Sequence, residues 1–111
     1  IDPVFGPVVL VGDGGKYVEA MPDVQLLIAP FTAADVKQAL ARLRIAPLLA
    51  GVRGEPALDV QAFCEAALAV CRLMMNPRSG VVNLDLNPVL VGASGEGCVA
   101  RDAVVYKAVT T

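Results

Sequence analysis

Histidine and tryptophan are absent from this sequence of 111 residues, and aromatic side chains are few, with 2 Tyr and 3 Phe. Without His, the chain lacks the commonest general base and the commonest ligand of transition metals. A metal site in this chain must therefore use oxygen or Cys ligands. Basic residues are also scarce: 9 Lys and Arg stand against 11 Asp and Glu, without clustering. This balance predicts that the chain does not bind nucleic acid.

Long apolar runs are missing too, since none approaches the roughly 18 residues that a membrane span needs. The chain starts at 1–3 without a Met or a signal-peptide pattern, so we expect a segment of a longer, cytoplasmic protein. The three cysteines are Cys64, Cys71 and Cys98. Cys64 and Cys71 lie on one apolar helical stripe, which predicts buried thiols rather than a disulfide or zinc site.

Apolar residues make up 56% of the chain, which is long enough for one domain over residues 1–111. This excess predicts either a deeply buried sheet or an apolar face that normally meets another part of a larger protein. We therefore expect a homo-oligomer or other self-association of the isolated chain.

Apolar and β-branched runs predict strands at both ends of the sequence. Residues 8–11 and 17–21 flank a Gly-rich connection, as in a hairpin, and residues 24–29 form a third predicted strand. Residues 81–91 and 98–106 give a second predicted hairpin around a turn rich in Gly.

Two helices are predicted between these strands. Thr32 and Asp35 have the spacing of a capping box, which predicts a helix from there to about Leu43. Asp59 can cap a second helix that runs to about Met75. The order of elements indicates an α+β fold, a two-layer sandwich in which two helices cover a mostly antiparallel sheet.

Polar side chains alternate along the strongest predicted strand. Asn83, Asp85 and Asn87 are two residues apart, so they share one face of the strand. A turn centred on Ser94-Gly95 would pair residues whose numbers sum to 189, which puts Asn87 opposite Asp102. Mg²⁺ suits such a pair of oxygen ligands, because water and substrate phosphates can complete its shell. The alternative is the solvated face of an ordinary strand, and a bulge would change the pairing.

Other polar segments are less specific. Residues 12–15, Gly-Asp-Gly-Gly, suit either a phosphate-binding loop or a plain hairpin turn. Arg53 suits either a salt-bridged loop or an interface, and Glu19 faces either solvent or a partner domain.

Five segments together resemble the ATP-grasp region of nucleoside-diphosphate-forming acyl-CoA synthetases, which are related to the succinyl-CoA synthetase β subunit. The segments are 2–9 with 12–15 and 18–19, then 24–30 with Thr32, 48–56 with Asp59, 85–88, and Asp102. The resemblance implies the C-terminal part of an ATP-grasp domain. It also implies that an upstream ATP-grasp subdomain and CoA-binding domains belong to the same protein.

The resemblance further implies a ligase that converts acyl-CoA, nucleoside diphosphate and phosphate to acid, CoA and nucleoside triphosphate. It assigns Asp85, Asn87 and Asp102 to binding of ATP or another nucleotide, and Asn87 and Asp102 to binding of Mg²⁺. The family often has Glu where this chain has Asn83. No catalytic residue is assigned, because the chain has no phosphorylatable His, and the segment alone is expected to be inactive.

Two other functions remain open at this point. Some proteins with this ATP-grasp region are fused to acetyltransferase domains and act in regulation. A non-catalytic interaction module would also explain the apolar excess. The sequence upstream and downstream of this segment discriminates among the three functions.

Overall fold

The computed structural model describes residues 1–3, 5–12, 23–51 and 54–107. Within them, the chain forms β1 (Val8–Gly12), β2 (Val24–Ile28), α1 (Ala33–Ala41), α2 (Ala46–Leu49), α3 (Val60–Met75), a 3-10 turn (Pro77–Ser79), β3 (Val81–Leu86), β4 (Val89–Val91), β5 (Cys98–Ala100) and β6 (Ala103–Lys107). This arrangement confirms the predicted α+β class.

The strands pair as three antiparallel ladders, β1 with β2, β3 with β6, and β4 with β5. Both strands of the predicted C-terminal hairpin are thus interrupted. One break falls at Asn87-Pro88, where Pro88 lacks the N–H that a continuous ladder requires. The other falls at Arg101-Asp102. The predicted strand 17–21 lies outside the described residues.

Capping fixes the starts of the two longer helices, as predicted. Thr32 accepts a hydrogen bond from the Asp35 N–H, and the Asp35 carboxylate accepts one from the Thr32 N–H. Asp59 accepts a hydrogen bond from the Ala62 N–H at the start of α3. The short helix α2 was not predicted. It begins beside Pro47, whose fixed φ is compatible with a first helical turn.

The core lies where α1 and α3 pack against the first ladder. Val36 of α1 and Cys64 of α3 are fully buried at its centre. The other buried members are Val11, Leu27, Ala39, Leu40, Leu43 and Ala67. Cys71 is also buried, so both predicted helical thiols are confirmed as free core residues. Burial raises the pKa of the Cys64 thiol.

The opposite face of the first ladder is apolar and exposed. Leu10 pairs with Leu26, and these side chains are 65% and 50% exposed. Val24 and Ile28 extend the same exposed stripe. Self-association through this stripe stays a prediction. Among the described residues, no helix has the length and apolar character that crossing a membrane requires.

Candidate functional site

The candidate site begins with the alternating side chains of β3. Asn83, Asp85 and Asn87 are exposed, whereas Leu84 and Leu86 are half-buried. The predicted separation of polar and apolar faces therefore holds from residue 83 to residue 87. The carboxylate and amide oxygens are left accessible on one side of the strand.

The apolar face ends earlier than predicted, because the ladder contains an irregularity. Its register shifts between Val81 and Asn83, and Val82, expected beside Leu84 on the apolar face, is 42% exposed. Val81 is buried instead. A bulge of this kind leaves one residue unpaired and changes the face that its neighbours occupy. The shift lies before Asn83, so it leaves the register of the later residues intact.

The predicted opposition of Asn87 and Asp102 is confirmed. Leu86 pairs with Ala103 in one ladder, and Val89 pairs with Ala100 in the next. The residue numbers of both pairs sum to 189, as predicted. Between them, the Asn87 N–H donates to the Asp102 carbonyl at 3.2 Å. In a regular ladder, directly opposed residues place their Cβ atoms about 4.5–5.5 Å apart, a spacing at which two side chains can share one cation.

The donor set of this pair fits Mg²⁺. The side chains of Asn87 and Asp102 are exposed and make no hydrogen bond or ion pair with another described residue. Their oxygens are hard ligands, and Mg²⁺ is commonly held by one or two protein oxygens, with water and phosphate completing the octahedron. In the described parts of the chain, no three His, Cys, Asp or Glu side chains group as a metal centre. A Mg²⁺ ion held by this pair would take its remaining ligands from water, nucleotide or other parts of the protein.

A cleft of about 600 Å³ lies beside the pair, between β1 and β3 and above α3. Residues 83–89 line one wall, with both the polar side chains and Leu84 and Leu86, together with Tyr106 of β6, and Asp102 is outside the lining. The cleft has the volume of a small-molecule site, since such pockets span about 300–1,000 Å³. Asp85 and Asn87 can therefore contact a ligand in the cleft, while Asp102 lies across the strands from Asn87.

The other candidate segments are only partly visible. Gly12 ends β1, and a side chain there would collide with the Asp23 carbonyl and with Val24, which explains the glycine by close packing. Residues 13–15, Glu19 and Arg53 lie outside the described residues, so their proposed roles stay predictions.

Sequence reasoning missed the second role of Asp59. Besides capping α3, its carboxylate accepts hydrogen bonds from the N–H groups of Gly95 and Gly97 in the turn between β4 and β5. These residues are 36 and 38 positions away, so no local pattern indicates the contact. The only signal is the glycine pair itself.

A family model described as an ATP-grasp domain matches residues 1–106. The chain is 44% identical over 104 residues to a trans-feruloyl-CoA synthase from an unknown prokaryotic organism, covering 94% of this chain and 15% of the relative. It is 38% identical over 102 residues to the β subunit of the ADP-forming acetate–CoA ligase II of Pyrococcus furiosus, covering 92% of this chain and 43% of that subunit. The chain thus spans less than half the length of either relative.

Solved structures of related synthetases share the fold of this chain. The chain superposes with a TM-score of 0.85 and 31% identity on an acetyl-coenzyme A synthetase of Ca. Korarchaeum cryptofilum, over 96% of this chain and 49% of that one. That structure contains coenzyme A and Mg-AMPPCP, with a phosphohistidine segment pointing towards the nucleotide site. On sequence and fold together, this chain belongs to the ATP-grasp domain family and is related to the ADP-forming acetate–CoA ligases, which are acid–thiol ligases.

Proposed function

We propose that this chain is the nucleotide- and Mg²⁺-binding part of an acyl-CoA synthetase that forms nucleoside diphosphate. The complete protein interconverts acyl-CoA, nucleoside diphosphate and phosphate with acid, CoA and nucleoside triphosphate. One observation carries the proposal: between the two ladders, the Asn87 N–H donates to the Asp102 carbonyl, both side chains are exposed, and Asn87 lines the cleft. The Mg²⁺ and AMPPCP bound by the related synthetase support the same ligands.

In this proposal Asn87 and Asp102 hold Mg²⁺, and Asp85 orients the nucleotide from the wall of the cleft. When bound, the metal ion neutralises phosphate charge and aligns the groups between which the phosphoryl group passes. The chain contributes placement, because the hydrogen bond from the Asn87 N–H to the Asp102 carbonyl joins the backbones of the two proposed ligands. It has no His, so a phosphohistidine must come from another part of the protein, and the isolated segment has no synthetase activity.

Selection of the acyl group lies outside this segment in the proposal. The two relatives are named for feruloyl and acetate, which differ greatly in size, although both align with more than nine-tenths of this chain. A segment shared by such different synthetases suits the common nucleotide step better than recognition of the acid.

The test uses the full-length enzyme and substitutions at exposed positions, where effects on folding are small. Asp102→Asn should lower turnover by about a hundredfold or more, because it removes the charged metal ligand. Asn87→Ala should have a smaller effect, since it removes a neutral ligand. Asn83→Ala is the matched control, because it makes the same change on the same strand face, four residues from Asn87, and it should have the smallest effect of the three on turnover.

Two results would contradict the proposal. One is an Asp102→Asn enzyme that turns over normally at limiting Mg²⁺. The other is an equal loss in Asn83→Ala and Asn87→Ala, which would indicate a general effect on the strand. Release of CoA by the 111-residue chain alone would show that the segment is more complete than proposed.

A further inference from the structure

The turn between β4 and β5 is held against the start of α3 by the backbone. The Asp59 N–H donates to the Gly92 carbonyl at 2.7 Å, and the Ser94 N–H donates to the Ala57 carbonyl at 2.9 Å. Leu58 adds an isolated antiparallel bridge to Ala93. The residues just before α3 therefore run antiparallel to residues 92–94 of the turn, and each segment donates one hydrogen bond to the other.

The Asp59 side chain completes this junction. One carboxylate oxygen accepts from the Gly95 N–H at 3.1 Å and from the Gly97 N–H at 2.8 Å, while the other accepts from the Ala62 N–H at 3.0 Å. Asp59 is only 8% exposed, and it is the one buried charged or polar residue among those that the structure describes. A buried carboxylate is retained only when its hydrogen-bonding capacity is used, which here requires the turn as well as the helix.

The turn needs an external partner because its backbone is unusual. Gly95 and Gly97 both have positive φ, 88° and 84°, so the chain reverses through two left-handed residues. The N–H groups of these two glycines are the ones that donate hydrogen bonds to the Asp59 carboxylate. A single carboxylate oxygen thus favours one conformation of the turn over its alternatives.

The conformation of the turn sets the register of the strands beyond it. The ladder of β4 and β5 contains only three residue pairs, from Val91 with Cys98 to Val89 with Ala100. Continuing that register by two residues opposes Asn87 to Asp102. On the other side, the β3–β6 ladder keeps the same register over four pairs, from Asn83 with Tyr106 to Leu86 with Ala103. The breaks at Asn87-Pro88 and Arg101-Asp102 separate that ladder from β4 and β5. A ladder of only three pairs gives β4 and β5 little protection of their own against a slip of one residue, which would move their side chains to the other face, so the turn contributes to the register.

We propose that Asp59 is a positioning residue for the Mg²⁺ site: by holding the turn at residues 92–97, it keeps Asn87 opposite Asp102. The inference rests on the proposed function of that pair. Asp59 contacts neither residue, and it acts through the turn and the β4–β5 ladder. It therefore links the start of α3 to the metal ligands.

The test separates this role from helix capping. In the full-length enzyme, Asp59→Ser keeps a good N-cap for Ala62, because Ser ranks with Asp at that position. The shorter hydroxyl cannot also reach the two glycine N–H groups of the turn. Asp35→Ser is the matched control, since it removes one carboxylate from the first turn of α1 and does not contact the turn. If Asp59→Ser fails to fold, Asp59→Asn serves instead, because it keeps one acceptor oxygen.

Two measurements apply to each variant. The first is amide hydrogen exchange without metal, and we expect faster exchange at Asn87 and throughout residues 89–100 in Asp59→Ser only. The second is the Mg²⁺ concentration for half-maximal turnover, which should rise about three- to tenfold in Asp59→Ser and stay unchanged in Asp35→Ser. At saturating Mg²⁺ the turnover of Asp59→Ser should recover, since both ligands remain.

The inference would be overturned if the Asn87 amide of Asp59→Ser exchanged at the wild-type rate. An unchanged Mg²⁺ requirement in Asp59→Ser would also overturn it. Equal effects in the two Ser variants would also overturn it, because they would indicate general destabilisation. Asp102→Asn identifies a failure of the proposed function itself. If that variant keeps the wild-type Mg²⁺ requirement, the metal assignment is wrong, whether or not Asp59 holds the turn.

Discussion

The first prediction concerns Val36, whose side chain is completely buried on α1 between the first ladder and α3. Val36→Ala removes two methyl groups from the centre of the only large core in the described residues. The surrounding side chains come from three different elements, so they cannot all move inward to fill the space. The substitution therefore tests whether this core holds the fold together.

The size of the destabilisation in Val36→Ala follows from the burial of the side chain. Transfer of the two lost methyl groups accounts for about 1.6 kcal/mol, at about 0.8 kcal/mol per buried group. The cavity adds about 1 kcal/mol if the site relaxes little. Ala favours the helix over Val by about 0.5 kcal/mol, which offsets part of the loss. The net loss of unfolding free energy should be about 2 kcal/mol, and the melting temperature of a chain this long should fall by about 8 °C.

The assay is urea and thermal unfolding of the 111-residue chain, followed by circular dichroism. Val99→Ala is the matched control, because Val99 lies in β5 and is 60% exposed. It should cost less than about 1 kcal/mol. A loss at Val36 no larger than the loss at Val99 would refute the packing of α1 between the ladder and α3.

Two further predictions concern pH and association. Hydrogen bonds from the Ala62, Gly97 and Gly95 N–H groups hold the pKa of Asp59 below its usual 3.8, although burial opposes them. The charged carboxylate therefore stabilises the fold above that value, and the contribution disappears as the pH falls through the lower folded-state pKa. Unfolding followed from about pH 5 down to about pH 2 should show a steeper acid loss in wild type than in Asp59→Ser. Light scattering should show concentration-dependent association through Leu10 and Leu26, which Leu26→Lys abolishes; a strictly monomeric wild-type chain would contradict this.

The helices could be predicted because their signals are local. The capping box at Thr32 and the cap at Asp59 lie within three residues of the groups they satisfy, and the apolar stripes repeat at the helical period. The short helix α2 has no side-chain cap and only four residues, so its sequence carries little signal. Its formation depends on surrounding contacts that no sequence window contains.

The C-terminal strands were predictable in register but not in continuity. The Gly-rich turn fixed the pairing of Asn87 with Asp102, because hairpin register follows from the turn. Pro88 signalled a break that the continuous apolar pattern obscured. The shift at Val82 lies beside Asn83, a residue type that is depleted in strands, but a poor strand former alone does not specify a bulge.

The candidate site combines both kinds of information. Its ligands are visible in the sequence, because alternation and turn geometry place Asn87 and Asp102 together. Their support is not visible, because it passes from Asp59 to Gly95 and Gly97 across more than 30 residues. A three-pair ladder whose side chains are half-buried or exposed gains limited stability from burial, so the hydrogen bonds to the start of α3 contribute to its order. Since α3 also carries Cys64 at the centre of the core, the proposed Mg²⁺ ligands are connected through Asp59 to the most buried part of the described residues.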